Sequence, residues 1–250
     1  MEPVAAALKS LVPLSLTRPA GGLSRAAGEV NLFPMSVGRR RWRPYFKAMK
    51  QLSFFETATS GSQLLFDGPT GVVTYTPGFV SDDVASQWFE TLHRDVAWQS
   101  DRRLMYDREV DVPRLMAGFR LDDADLPPEI ANAAGLVSTA LGVRFHAVGL
   151  NLYRDGNDSV APHHDRLGDL VQGEPIALLS LGGPRRMTIS AQDKSIKPVH
   201  VDLESGSLLV MDYASQRHLL HGVPKTRTAV LPRISLAFRV RRSALADSAE

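Results

Sequence analysis

The stretch SVAPHHDRL, residues 159–167, sets two histidines side by side with an aspartate after them. On a strand, neighbouring side chains point to opposite faces, and residues i and i+2 share one. His163 therefore faces the same way as Asp165, and His164 the same way as Arg166. Only the first pair offers two ligands to a hard or borderline divalent cation. Imidazole plus carboxylate at this spacing is part of the 2-His-1-carboxylate set that suits non-haem Fe(II). The chain has no cysteine, so any metal must be held by His, Asp or Glu. Disulfides, thiolate sites and cysteine nucleophiles are excluded with it.

A third ligand must come from another strand. His93 falls on an amphipathic helical stretch and reads as a surface residue. His146 lies on the face opposite Asn151 and Tyr153 and reads as a packed histidine. His200 sits early in a strand with no polar company. His218 and His221 follow GSLLVMDYASQR and lead into GVPK, where a strand end and a turn at Pro224 would deliver a ligand across a sandwich. Residue physics leaves both open.

RISLAFRV alternates Ile234, Leu236, Phe238 and Val240 with Arg233, Ser235, Ala237 and Arg239. Two arginines on a small-residue face, with no acid among them, suit a pocket for a small dianion, because guanidinium binds carboxylate bidentately. In AVGLNLYR, Asn151 and Tyr153 share a face with Ala147 and Gly149, which again describes a pocket wall.

The elements that must carry these residues are legible in outline. SDDVASQWFETLHRDV predicts a helix with Ser81 as N-cap, Asp82 and Asp83 in the first turn, and Val84, Trp88, Phe89 and Leu92 as its apolar stripe. PPEIANAAGLVSTALG predicts a second, with Ile130, Ala134, Val137 and Leu141 inward and Gly142 after it. GVVTYTPGFV reads as a strand and turn. From residue 145 come seven short β segments: FHAVGLNLYR, SVAPHHD, PIALLSL, RRMTIS, KPVHVDL, GSLLVMDY and RISLAFRV. So many strands in about 100 residues predict a mainly β (α+β) domain, a sandwich or barrel.

Residues 1–60 are rich in Ala, Gly, Pro and Ser, carry RRRWRP, and show no periodicity. They read as a disordered basic extension or an over-extended start of the reading frame (Met35 and Met49 being later candidates), against the alternatives of a nucleic-acid-binding arm or an organelle transit peptide. The domain is expected over 61–242, with a tail at 243–250. Nine of the 29 Lys/Arg and two of the 27 Asp/Glu lie in residues 1–50. That leaves 20 bases and 25 acids, a net of −5, for residues 51–250, so the main body is not a globally basic nucleic-acid binder. No apolar run is long enough to span a membrane, and a cytoplasmic monomer is the expectation.

Taken in order, NLYRDGNDSVAPHHD, GSLLVMDYASQRHLLHGVPK and RISLAFR resemble the AlkB family of Fe(II)- and 2-oxoglutarate-dependent dioxygenases, over about residues 95–240. The resemblance implies a double-stranded β-helix (jelly roll) with helices packed outside its N-terminal side. It implies His163, Asp165 and His221 as metal ligands, the last chosen because it precedes Val223, Pro224 and Lys225. It implies Asn151 and Tyr153 as 2-oxoglutarate contacts, Arg233 at the distal carboxylate and Arg239 near the chelating end, with Ser235 on the same wall. Fe(II), 2-oxoglutarate and O2 are the implied cofactors, and alkylated DNA or RNA the implied partner. VAWQSDRRLMYDREVDVPRLMAGF resembles the substrate lid of the repair branch, which brings in Trp98, Tyr106, Pro113 and Arg114. Trp98 and Tyr106 have the alternative of being core aromatics. The family's acid two residues after the metal aspartate is here Leu167, with Asp169 one turn on, which puts base preference in doubt. The competing functions are the same oxygenase chemistry on a protein or small molecule, and a catalytically silent jelly-roll binding module.

Overall fold

The computed structural model describes residues 61–105 and 108–242, with side chains outside 101–111. The expectations for residues 1–60, for Tyr106 and for the tail lie outside the described residues. Two helices form where sequence placed them. Helix α1 (Asp82–Asp95) has Ser81 extended at its N-cap, acids in its first turn and His93 and Arg94 in its last, an order that complements the helix dipole. It buries Ala85, Trp88 and Leu92. Helix α2 (Pro128–Leu141) starts on proline and ends at Gly142, which takes the left-handed conformation at φ 64°. Ile130, Ala134, Val137 and Leu141 are all buried on its inward face.

Among the described residues, twelve strands form two antiparallel sheets. They are β1 (Gln63–Gly68), β2 (Gly71–Thr76), β3 (Gln99–Met105), β4 (Arg108–Arg120), β5 (Ala147–Tyr153), β6 (Val160–His163), β7 (Ile176–Gly182), β8 (Arg185–Ala191), β9 (Val199–Leu203), β10 (Leu208–Met211), β11 (Leu219–Val223) and β12 (Arg233–Arg239). A four-residue helix α3 (Ser215–His218) leads into β11. The large sheet runs β1-β2-β10-β7-β12-β5-β4-β3 and the small one β6-β11-β8-β9. All seven expected β segments are present. Strands β1, β3, β4 and β11 were not anticipated.

The lid-like stretch is thus a long hairpin, β3–β4, on the large sheet. Pro113 cannot donate to a ladder, and β4 pairs with β5 only from Leu115 onward. The β3 register also shifts between Ser100 and Arg102. These breaks hide a strand from a period-of-two reading.

The sheet faces divide the core. One face of the large sheet (Leu150, Leu152, Leu179, Leu181, Ile234, Leu236 and Phe238) packs with both helices. The other packs on the small sheet through Tyr75, Tyr153, Leu178, Leu209 and Met211 against Met187, Ile189, Leu203, Leu219 and Val223. His163, Asp165, His221 and Arg233 border this second, inter-sheet space. No helix of the described residues is long and apolar enough to cross a membrane.

Candidate metal and cosubstrate centre

His163 ends β6, and β11 pairs with it antiparallel so that His221 stands directly opposite. The two rings lie 4.4 Å apart, tilted by 49°. Asp165 follows just past the end of β6, and one ligand atom from each of His163, Asp165 and His221 falls within 4.8 Å of the others. His221 sits in the middle of a strand. The expected strand end before it is replaced by α3, and His218, at the end of that helix, is exposed. His164 is exposed too, with Nδ1 3.1 Å from the Asp165 carbonyl oxygen.

The β6–β11 approach is close because residue 222 is glycine. A Cβ there would meet Pro162 N at 2.9 Å and Val160 O at 3.0 Å. Strand β6 is an edge strand, where proline costs no ladder bond.

Charge states suit a divalent ion. Burial, then the neighbouring His163, pushes the His221 imidazole down to about 3, so it is neutral at ordinary pH as a ligand must be. His163 Nδ1 lies 2.9 Å from Ala161 O, so a proton on Nδ1 donates there and leaves Nε2 for a metal. Burial alone would raise the Asp165 carboxyl, but Arg239 holds it below its ordinary range. Arg239 Nε donates to Asp165 Oδ2 at 2.5 Å. Its guanidinium lies over Gly149, where a Cβ would come within 3.3 Å of Nη1.

Across the inter-sheet space, β12 carries Arg233 and Ser235 opposite Tyr153 and Asn151 of β5. Arg233 is 1% exposed. Its Nη2 donates to Ser180 Oγ at 2.9 Å and its guanidinium lies 5.3 Å from the Tyr153 ring centre. Its Nε has no hydrogen-bond partner among the described residues. Burial lowers its pKa to about 10, which still leaves it cationic. No carboxylate of the described residues pairs with this cation. A buried charge without a counter-charge is costly, and an incoming carboxylate would satisfy it.

The remaining expectations separate. Arg114 lies on the site side of β4 and donates from Nε to Asn151 Oδ1 at 2.7 Å. Trp98 packs on the helix-side core and donates its indole N–H to the His93 carbonyl at 3.2 Å. Its placement is that of a core aromatic, away from the inter-sheet space. His200 does have polar company, with Nδ1 3.1 Å from the Thr188 hydroxyl. Leu167 opens a short 3-10 turn and packs on the inter-sheet core, while Asp169 is exposed.

Among the buried polar residues that escaped the sequence reading are Arg185 and Gln216. Arg185 donates to the carbonyls of Asp155, Asp158 and Pro224 at 2.8–2.9 Å. The signal was present, since Arg185 shares a face with Met187, Ile189 and Ala191. Gln216, 1% exposed, lies in α3, where no strand period applies.

The double sheet encloses a His-Asp-His set that could hold a metal ion and a buried arginine whose Nε has no partner among the described residues. Residues 72–239 match the 2OG-Fe(II) oxygenase superfamily, and the chain belongs to that family, in its AlkB branch. Fe(II), 2-oxoglutarate and O2 are the family's cofactors. The chain is 32% identical to alpha-ketoglutarate-dependent dioxygenase alkB homolog 3 of Bos taurus over 192 residues, 68% of this chain and 67% of that protein. It is 30% identical to DNA oxidative demethylase ALKBH2 of Bos taurus over 130 residues, 49% of this chain, and spans only 47% of that relative. The solved structure of OsALKBH1 aligns with 71% of this chain and 100% of its own, at TM-score 0.49 and 16% identity.

Proposed function

We propose that this protein oxidatively demethylates N-alkylated nucleobases in DNA or RNA. In this reading His163, Asp165 and His221 hold Fe(II). Arg233, Asn151, Tyr153, Ser235 and Arg239 receive 2-oxoglutarate. The observation that carries it is Arg233: a buried cation with an orphaned Nε, on the wall facing the triad. The nucleobase part rests on relatives such as the one named a DNA oxidative demethylase.

When bound, Fe(II) with 2-oxoglutarate and O2 supplies oxidative decarboxylation to succinate and CO2 and hydroxylation of an N-methyl group, whose carbon leaves as formaldehyde. The chain does the rest. His221 offers a neutral nitrogen, His163 a ring nitrogen beside it, and Asp165 a charged oxygen. Arg239 fixes that oxygen in place before any metal arrives. Arg233 neutralises a carboxylate away from the metal, and Tyr153 walls it in. Arg114, with its link to Asn151, stands where the β4 hairpin would meet a polyanion, and Tyr106 is its proposed stacking companion. The acting species is proposed to be a cytoplasmic monomer, with the domain over 61–242.

The same chemistry on a protein or small molecule is favoured by the net −5 of residues 51–250 and by Leu167. Formaldehyde release from a panel of N-methylated oligonucleotides, single- and double-stranded, decides between the two. The expected result is release that Asp165→Ala abolishes. Steady 2-oxoglutarate turnover that no methylated oligonucleotide stimulates would sink the nucleic-acid assignment. Failure to bind Mn(II) and 2-oxoglutarate would point to a silent binding module.

A further inference from the structure

His163 and His221 are held by strand pairing, but Asp165 lies beyond the end of β6 and no ladder bond reaches it. Its main chain is held instead by a side chain 51 residues away. The Asp165 N–H donates to Gln216 Oε1 at 3.0 Å. An N–H can only donate, so the amide oxygen must face it. The amide Nε2 then points to Ser215 Oγ at 3.3 Å and Met211 Sδ at 3.6 Å.

The chain of bonds continues into the scaffold. Ser215 Oγ donates to Asp212 O at 2.6 Å, and Ser215 N–H to Asp212 Oδ1 at 2.8 Å. Asp212 N–H donates to Val72 O at 3.0 Å. Strand β2 reaches this turn because residue 71 is glycine at φ 141°, where a Cβ would lie 2.6 Å from Ser215 Cα. Gln216 is therefore anchored from behind on the large sheet and presents its oxygen forward to Asp165. It also stands five residues before His221, so one short segment supplies one ligand and steadies another.

We propose that Gln216 is a positioning residue for the metal. It fixes the Asp165 main chain while Arg239 fixes the carboxylate, so the site is formed before the ion binds. This rests on the reading that His163, Asp165 and His221 hold a metal. Groups that orient metal ligands typically contribute 10- to 100-fold in affinity.

The test uses Co(II) as a visible probe on the full chain, without nucleic acid, beside thermal unfolding of the metal-free protein. Gln216→Leu keeps the bulk and removes the acceptor, and should weaken Co(II) binding about tenfold or more. At saturating metal its KM for 2-oxoglutarate should match wild type. Gln216→Glu keeps an acceptor oxygen and should recover most of the Co(II) affinity. Wild-type Co(II) affinity in Gln216→Leu, or binding by Gln216→Glu as weak as by Gln216→Leu, would overturn the proposal. If Gln216→Leu does not fold, Gln216→Met stands in under the same criteria. A wild-type chain that binds no Co(II), or an Asp165→Ala chain that binds it as tightly as wild type, would sink the metal reading, and the role of Gln216 with it.

Discussion

At the residue scale, the unusual group is Arg233. Its charge is buried, its Nη2 meets a serine hydroxyl, and its Nε meets nothing among the described residues. A hydrogen bond to a charged partner contributes roughly 1.5–3 kcal/mol, which is about 10- to 150-fold in affinity. Arg233→Met should therefore raise the KM for 2-oxoglutarate by about that factor and leave Co(II) affinity unchanged, as 2-oxoglutarate titration and Co(II) absorption will report. Arg233→Lys should not rescue it, since an ammonium lacks the planar fork. Residues of this kind were legible in the sequence because strand alternation exposes a charge on the wrong face. Arg233 and Arg239 beside Ser235, and His163 beside Asp165, all stood out by i, i+2 logic. Gln216 did not, because its contact is made from a helical turn to a residue outside any strand.

At the element scale, the site depends on how tightly β6 lies against β11. A methyl on residue 222 would press on Pro162 N, Val160 O and Ala161 C, all backbone atoms that cannot rotate aside. Gly222→Ala should cost about 1–3 kcal/mol of stability, as overpacking does, and should weaken Co(II) binding by moving His163 away from His221. Urea unfolding and Co(II) titration measure the two effects separately. Unchanged metal affinity would mean that β6 carries no constraint to the site. Much of this level was readable: both helices and eight strands follow from period and turn chemistry, though Ser81 makes no side-chain cap hydrogen bond. Strand β11 was hidden because LLHGV has no alternation and follows a helix. The β3–β4 hairpin was hidden by Pro113 and by its register shift. Choosing His221 over His218 needed a resemblance, since exposure and pairing become visible only once β11 exists.

At the scale of the whole molecule, the candidate metal ligands all belong to the small sheet or the residues just past β6, and the large sheet reaches them through Arg239 of β12, which donates to Asp165. Among the described residues the large sheet has two helices behind it and eight strands. The small sheet has four, with β6, its four-residue edge strand, carrying His163. Arg185 braces this end by gripping the carbonyls of Asp155 and Asp158 before β6 and of Pro224 after β11. An ion would be held by His163, Asp165 and His221, and a dicarboxylate by Arg233 of β12. Ligands that bind only the folded state stabilise it by mass action. At about 100 times Kd that is about 2.7 kcal/mol. For a domain of this size each kcal/mol moves Tm by about 2–4 °C, so Mn(II) with 2-oxoglutarate, without O2, should raise Tm by about 5–11 °C. A chelator should reverse the shift. Asp165→Ala should show none of it, and Arg233→Met should keep the part due to metal alone. A shift of full size in Asp165→Ala would place the ion elsewhere, and the triad would lose its claim to it.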